Sequence, residues 1–289
     1  MSQSVPALLR AHGLHPRKRL GQNFLLDPVA LGRIVDAAEL SPEDLVLEVG
    51  AGVGNLTRLL AAEAGTVLAL ELDDRLVEIL REQVAGFPNV KVVHGDVLDM
   101  PDLGLGKLRY KVVGNLPYYI TSAVLRTFLE RHPRPTLLVV TVQREVAERI
   151  VAEPGDMSLL AVSVQFYGRP RIWARIPAGA FYPAPDVDSA IVRVEVEEQP
   201  QVQLDEAVGE AGFFRVVRAG FSQKRKTLRN SLSGGLGLDP AVVERGLGDA
   251  GVDPRRRAET LSLQEWAAVA RTLSGRSVGS GADNGPRLS

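Results

Sequence analysis

A chain of 289 residues with 45% apolar and 24% charged side chains has the composition of a soluble globular protein, long enough for one large domain or two ordinary ones. No apolar run approaches the roughly 20 residues that a bilayer span needs, and the first residues carry no secretion-type apolar core, so the expectation is a cytoplasmic protein without a membrane partner. The absence of cysteine excludes disulfides and thiolate metal sites, the four scattered histidines lack ligand spacing so that no metal is expected, and a net charge of −1 argues against a uniformly basic nucleic-acid binder.

The charge is unevenly placed. Residues 1–24 carry Arg10, Arg17, Lys18 and Arg19 and no acid. Residues 1–15 read as a frayed, solvated terminus. For residues 17–25 the apolar run Phe24-Leu25-Leu26 favours docking onto the body, carrying the basic residues to one surface. Asp27-Pro28 has the form of a helix start, an N-cap followed by proline at the first helical position.

Leu45–Val49 is a short apolar run that ends at Gly50 and enters a turn, Gly50-Ala51-Gly52-Val53-Gly54-Asn55, ahead of helical spacing through Leu59, Leu60 and Ala61. About 20 residues on, a second apolar run ends at Glu71, the spacing at which an acid meets ribose hydroxyls in a nucleotide-binding βαβ unit. The dinucleotide fingerprint would have a third glycine where Asn55 stands, which disfavours a pyrophosphate and suits a nucleoside cofactor without phosphate. After a helix over 75–84, a third strand over 90–96 ends in Asp96, whose carboxylate either accepts from an adenine amino group or caps the next helix.

A fourth strand runs from Lys111 to Gly114 and leads into Asn115-Leu116-Pro117-Tyr118. An amide acceptor, a φ-locked residue without an N–H and an aromatic face can together hold a flat nitrogen-bearing ring; a strand-ending turn with a packed tyrosine is the plainer alternative. A fifth strand covers 136–143, helices follow near 144–151 and 158–166, and alternation places strands at 171–176 and 189–196. The stiff loop between them, 177–189, either holds Phe181 over the same crevice or buries it as a packed aromatic. Repeated strand–helix alternation describes an α/β, doubly wound, mostly parallel sheet whose ligands gather at the carboxyl ends of the strands, where Gly50, Glu71, Asp96 and Asn115 converge.

The polar run 197–201 reads as a domain boundary. Beyond it the pattern is helical, and residues 213–231 carry six basic side chains and no acid, a bias that favours a phosphate-binding basic helix over a solvated face of mixed sign. Further helices fit 240–247 and 262–273. From Ser274 a tail rich in Gly and Ser is expected to be disordered. The organisation expected is a basic arm over 1–26, a cofactor-binding domain over 27–198, a smaller all-α phosphate-binding domain over 199–274 and a tail over 275–289.

Gly50-x-Gly52-x-Gly54, Glu71, Asp96 and Asn115-Leu116-Pro117-Tyr118 together resemble the S-adenosylmethionine-dependent N6-adenine methyltransferases of Rossmann-like class I fold. Gly21-Gln22-Asn23-Phe24-Leu25, Phe181-x-Pro183-x-Pro185-x-Val187-x-Ser189 and the run Phe221–Asn230 extend the resemblance to the ribosomal RNA adenine dimethyltransferase family, over residues 17 to about 273. The resemblance implies a seven-stranded sheet and N6,N6-dimethylation of two adjacent adenosines near the 3′ end of 16S small-subunit RNA, within an immature 30S particle, by a monomer with S-adenosyl-L-methionine as cofactor. It implies that the domain over 27–198 is catalytic and the one over 199–274 RNA-binding, and that Asn23, Leu25, Gly50, Gly52, Gly54, Glu71, Asp96 and Asn115 bind the cofactor. Asn115, Leu116, Pro117, Tyr118 and Phe181 would hold and activate the base, and Arg17, Lys18, Arg19, Lys224, Arg225, Lys226 and Arg229 would hold RNA. Tyr119 departs from the asparagine found in many relatives. The alternatives are an antibiotic-resistance methylase of large-subunit RNA and a non-catalytic ribosome-assembly or transcription factor on the same fold.

Overall fold

The computed structural model describes residues 4–100, 105 and 108–274; the tail at 275–289 lies outside them. The strands are β1 (Phe24–Leu25), β2 (Leu45–Val49), β3 (Thr66–Glu71), β4 (Val90–His94), β5 (Lys111–Asn115), β6 (Leu137–Gln143), β7 (Gly168–Ile176), β8 (Phe181–Tyr182) and β9 (Ser189–Val196). The helices are α1 (Val5–Ala11), α2 (Pro28–Ala38), α3 (Asn55–Glu63), α4 (Asp74–Val84), α5 (Thr121–Glu130), α6 (Arg144–Ile150), α7 (Leu159–Tyr167), α8 (Gly209–Phe221), α9 (Leu228–Leu236), α10 (Pro240–Asp249) and α11 (Leu263–Leu273).

Seven strands form one sheet in the order β4-β3-β2-β5-β6-β9-β7, parallel except that β9 runs against both of its neighbours. The expected strands are all present. The apolar runs of β2, β3, β5, β6 and β9 are buried on both faces, as a sheet covered by helices demands, whereas the edge strands β4 and β7 are only partly covered. On one face Ala30, Ile34 and Ala37 of α2 and Leu60 of α3 pack on Val46, Val67, Val113, Val139 and Ile191. Helix α2 starts as expected, with Asp27 Oδ1 accepting from the Ala30 N–H at 2.7 Å and Pro28 in the first turn. The chain moves outward from β2 to β4 and returns to β5 on the other side of β2. That reversal leaves a crevice at the carboxyl ends of β2 and β5. The two strands approach so closely there that a Cβ on Gly114 would lie 2.5 Å from the Val49 carbonyl oxygen, so only glycine fits.

The amino-terminal segment differs from the expected frayed one. Val5, Leu8 and Leu9 of α1 are buried in a cluster with Phe24, Val53, Leu76 and Ile79. Spacing of i, i+3, i+4 gives the short helix one apolar face, and burying each side chain is worth roughly 1.5–3 kcal/mol, which outweighs fraying.

The compact units also differ from a single cut at 199. One takes residues through 151 together with 167–199, and the other takes 152–166 together with the residues from 200 onward. The reason is aromatic packing within the second unit: the Phe166 ring stacks on Phe213 at 4.6 Å and meets Phe214 edge-on at 5.0 Å. This unit is otherwise α8–α11, with α11 opened by a reciprocal cap between Ser262 and Glu265.

Candidate functional site

The crevice is a cavity of about 800 Å³, mouth included, and its walls come from the ends of β2, β3, β4 and β5 and from arm residues Leu20–Phe24. The arm is held there by backbone and side chain together. Strand β1 pairs antiparallel with β8, Phe24 opposite Tyr182 and Leu25 opposite Phe181. Asn55 Nδ2, at the start of α3, donates to the Leu25 carbonyl at 3.2 Å. Thus the position where a dinucleotide-binding turn would carry glycine ties down the arm.

At the β3 end, Glu71 is buried, and each of its oxygens accepts a backbone N–H, Oε2 from Gly52 at 2.7 Å and Oε1 from Asp73 at 2.8 Å. Gly50, Gly52 and Gly54 have φ of +76°, +60° and +88°, so the turn that presents the Gly52 N–H depends on left-handed backbone. Burial raises the Glu71 pKa, the two N–H groups oppose the rise, and the Asp73 charge adds to it. Asp96 lines the same cavity, and its Oδ1 accepts from the Leu98 N–H at 2.9 Å, so it also closes a turn.

Asp73 joins the arm to this wall. Its buried carboxylate accepts from Gln22 Nε2 at 2.9 Å and from Arg75 at 3.0 and 2.8 Å, and pairs with Arg17 at 3.3 Å. Burial acts to raise its pKa, but Arg75, Gln22 and Arg17 outweigh this and hold it at about 2. The guanidinium of Arg17, expected on RNA, is therefore engaged inside the unit.

At the β5 end, Asn115 Nδ2 donates to the Asn23 carbonyl at 2.8 Å, which fixes the amide and leaves Oδ1 as its acceptor at the cavity. The Leu116 carbonyl accepts no hydrogen bond among the described residues, whereas that of Pro117 accepts from the Ile120 N–H at 3.1 Å and the Thr121 hydroxyl at 3.4 Å. Tyr118 Oη is 2.8 Å from Ser189 Oγ, which locks the ring; burial raises its pKa and the Ser189 bond opposes this. Tyr119 is 60% exposed on the cavity wall, beside Gly21, where an added Cβ would lie 3.3 Å from the ring.

The structure brings Asn23, Gly50, Gly52, Glu71, Asp96, Asn115, Leu116, Pro117 and Tyr118 to one cavity. It does not bring Leu25, Gly54 or Phe181 to that wall. Leu25 lines a neighbouring cavity, Gly54 packs against Leu80, and Phe181 is 4% exposed in the core beside Leu25 and Ile191. Pairing of β8 with β1 turns Phe181 inward, so the packed-aromatic alternative describes it and the exposed ring at the mouth is Tyr119.

Of the remaining basic residues, Arg19 is exposed and the Lys18 side chain lies outside the described ones. In the second unit Lys224, Arg225 and Lys226 are exposed, but they occupy a turn between α8 and α9 and not a helix, and Arg229 pairs with Glu244 at 3.0 Å. Sequence reasoning missed Gln22, Asp73 and Asn55. It also missed Glu48, an acid inside the apolar run of β2, where charge is costly and calls for a reason. Among the described residues no group of three His, Asp or Glu side chains could hold a metal, and no helix is long and apolar enough to cross a membrane.

The sheet order and the crevice define a Rossmann-like class I methyltransferase fold. The chain overlays on a 23S rRNA methyltransferase, ErmE, with TM-score 0.69 and 31% identity over 87% of this chain and 99% of that one. It overlays on a dimethyladenosine transferase from Plasmodium falciparum with TM-score 0.74 and 24% identity, covering 85% and 95%. The family profile of ribosomal RNA adenine dimethylases matches residues 13–273, and a ribosomal RNA small subunit methyltransferase A from Dehalococcoides mccartyi (strain CBDB1) is 49% identical over 270 residues, 93% of this chain and 92% of that one. This chain belongs to the ribosomal RNA adenine dimethylase family.

Proposed function

We propose that the chain dimethylates N6 of two adjacent adenosines near the 3′ end of small-subunit ribosomal RNA, acting as a cytoplasmic monomer on an immature small-subunit particle with S-adenosylmethionine as cofactor. The observation that carries the reading is the fixed Asn115 amide: its Oδ1 and the unengaged Leu116 carbonyl are two acceptors beside a cavity that Glu71 and Asp96 also line.

The residues fit the cofactor. A side chain at Gly52 would press on the cavity wall at Phe24, 3.3 Å away, whereas glycine leaves room, and the Glu71 oxygens each keep a lone pair for a ribose hydroxyl. Asp96 suits an adenine amino group, and Asn23 and Leu25 belong to the arm that roofs the site. When bound, the cofactor supplies an electrophilic methyl group on sulfur.

The lone pair of adenine N6 is delocalised into the ring. Asn115 Oδ1 and the Leu116 carbonyl accept its two hydrogens and favour a pyramidal nitrogen, so no strong base is required. Pro117 fixes the turn, and Tyr118, held by Ser189, offers a face to a base taken out of its stack. The monomethylated nitrogen keeps one hydrogen and must rotate to present it again. Arg19 and the turn at Lys224, Arg225 and Lys226 carry the exposed charge for RNA phosphates.

The test is transfer of radiolabelled methyl groups to small ribosomal particles from a strain lacking the modification. Wild type should label two adjacent adenosines and Asn115→Ala should not; absence of transfer by wild type would sink the reading. The 31% identity to a 23S rRNA methyltransferase supports a second reading, action on large-subunit RNA, and mapping the labelled nucleotides decides between the two.

A further inference from the structure

Glu48, next to last in β2, is 1% exposed and its Oε2 has no hydrogen-bond partner; the buried Thr57 hydroxyl of α3 lies nearby. The carboxyl is not sealed in the core. It lines a second cavity with Gly50, Asn55 and Asn115, and this cavity shares Phe24, Gly50, Gly52 and Asn115 with the main crevice. A buried acid with an unpaired oxygen, on a cavity that shares wall residues with the ligand site, is suited to meeting a charge that arrives from outside.

The charged groups on the elements that neighbour β2 are already engaged. On β3, Glu71 is bonded to backbone N–H groups, and Asp73 beyond it is covered by Arg75 and Arg17. On β5, Lys111 is bonded to Asp44 and to the carbonyls of Ala38 and Glu39. On α3, Arg58 is bonded to Gln83 and Asn55, and on β9, Arg193 is bonded to Ala37, Glu39 and Glu195. Asp27 caps α2 through the Ala30 N–H. Among the described residues no cation is bonded to Glu48. Burial pushes its carboxyl up to about 8, the nearby Thr57 hydroxyl opposes the rise, and the Glu71 charge adds to it.

We propose that Glu48 is a proton-coupled counter-charge for the cationic methyl donor, holding a proton in the empty site and releasing it when the sulfonium is bound. The inference rests on the proposed function. The balance closes: the neutral acid loses one proton to solvent as one positive charge enters, and it regains one when loss of the methyl group leaves a neutral thioether. The turnover as a whole releases one proton, that lost from N6, but the release is moved forward to cofactor loading. The same coupling favours the charged donor over the neutral product, which helps to discharge the site.

Calorimetric titration of the full chain tests this, with S-adenosylmethionine and S-adenosylhomocysteine each measured in buffers of different ionisation enthalpy. Below pH 8 wild type should release close to one proton per S-adenosylmethionine and much less per S-adenosylhomocysteine. Donor affinity should rise about tenfold per pH unit and level off above pH 8. Glu48→Gln, which keeps the shape of the neutral acid, should bind the donor with no buffer-dependent heat and a flat pH profile. Equal proton release with both ligands, heat independent of buffer in wild type, or undiminished release in Glu48→Gln would overturn the proposal. Failure of wild type to bind the donor at all would overturn the proposed function, and this inference with it.

Discussion

The two ends of the crevice are built on opposite principles. At the β3 end every acid is tied: Glu71 to two backbone N–H groups, and Asp73 to Gln22, Arg75 and Arg17. At the β2 and β5 end acceptors stand free, namely Asn115 Oδ1, the Leu116 carbonyl and Glu48 Oε2. A tied acid rigidifies the frame and joins the arm to the body. A free acceptor costs stability when buried and is kept where a ligand will satisfy it. The contrast separates atoms that hold the site, the Asn115 Nδ2 among them, from atoms that act in it.

The largest expected effect falls on a free acceptor. Asn115→Ala should lower the methyl-transfer rate about 10²–10³-fold, because it removes a transition-state contact, and should cost only about 1 kcal/mol of stability, for the lost bond to the Asn23 carbonyl. A large loss of stability in that variant would break the contrast. At the tied end the sign reverses: Asp73→Ala should cost about 3 kcal/mol in denaturant unfolding by leaving Arg17, Arg75 and Gln22 without their buried acceptor.

The same node sets a pH dependence. The Asp73 pKa is lowered from 3.8 to about 2 in the folded chain, so its stabilisation is complete above 3.8 and is lost as pH falls toward 2. Wild type should lose stability over that window, and Asp73→Asn should show a flatter profile there. Tyr118→Phe removes the bond to Ser189 and should cost about 1 kcal/mol while loosening the ring, seen as a higher KM for RNA. Smallest is Lys226→Ala in the exposed turn, which should leave stability unchanged and reduce the salt dependence of RNA binding, by roughly 0.7 in the log–log slope.

Much of the frame is visible as local pattern. The apolar runs of β2, β3, β5, β6 and β9 specify buried strands, and Asp27-Pro28 specifies the start of α2. Gly50, Glu71, Asp96 and Asn115 each end a strand, so once the sheet is parallel they must share an edge. The helix α1 was also legible, in the spacing of Val5, Leu8 and Leu9, but its place at the chain terminus suggested fraying instead. The turn at Lys224, Arg225 and Lys226 was not legible, since no glycine or proline interrupts the run from Phe221 to Asn230.

The sequence by itself determined the sheet, the strand-ending polar residues and the family, because these depend on periodicity and on motifs confined to a few consecutive residues. Only the tertiary structure decided which polar groups are spent. Arg17 is drawn to Asp73, Phe181 turns into the core opposite Leu25, residues 152–166 join the C-terminal helices through Phe166, and Glu48 is left with an unpaired oxygen. Each outcome is set by partners far away in the chain, competing for the same buried space, and no local pattern records who wins.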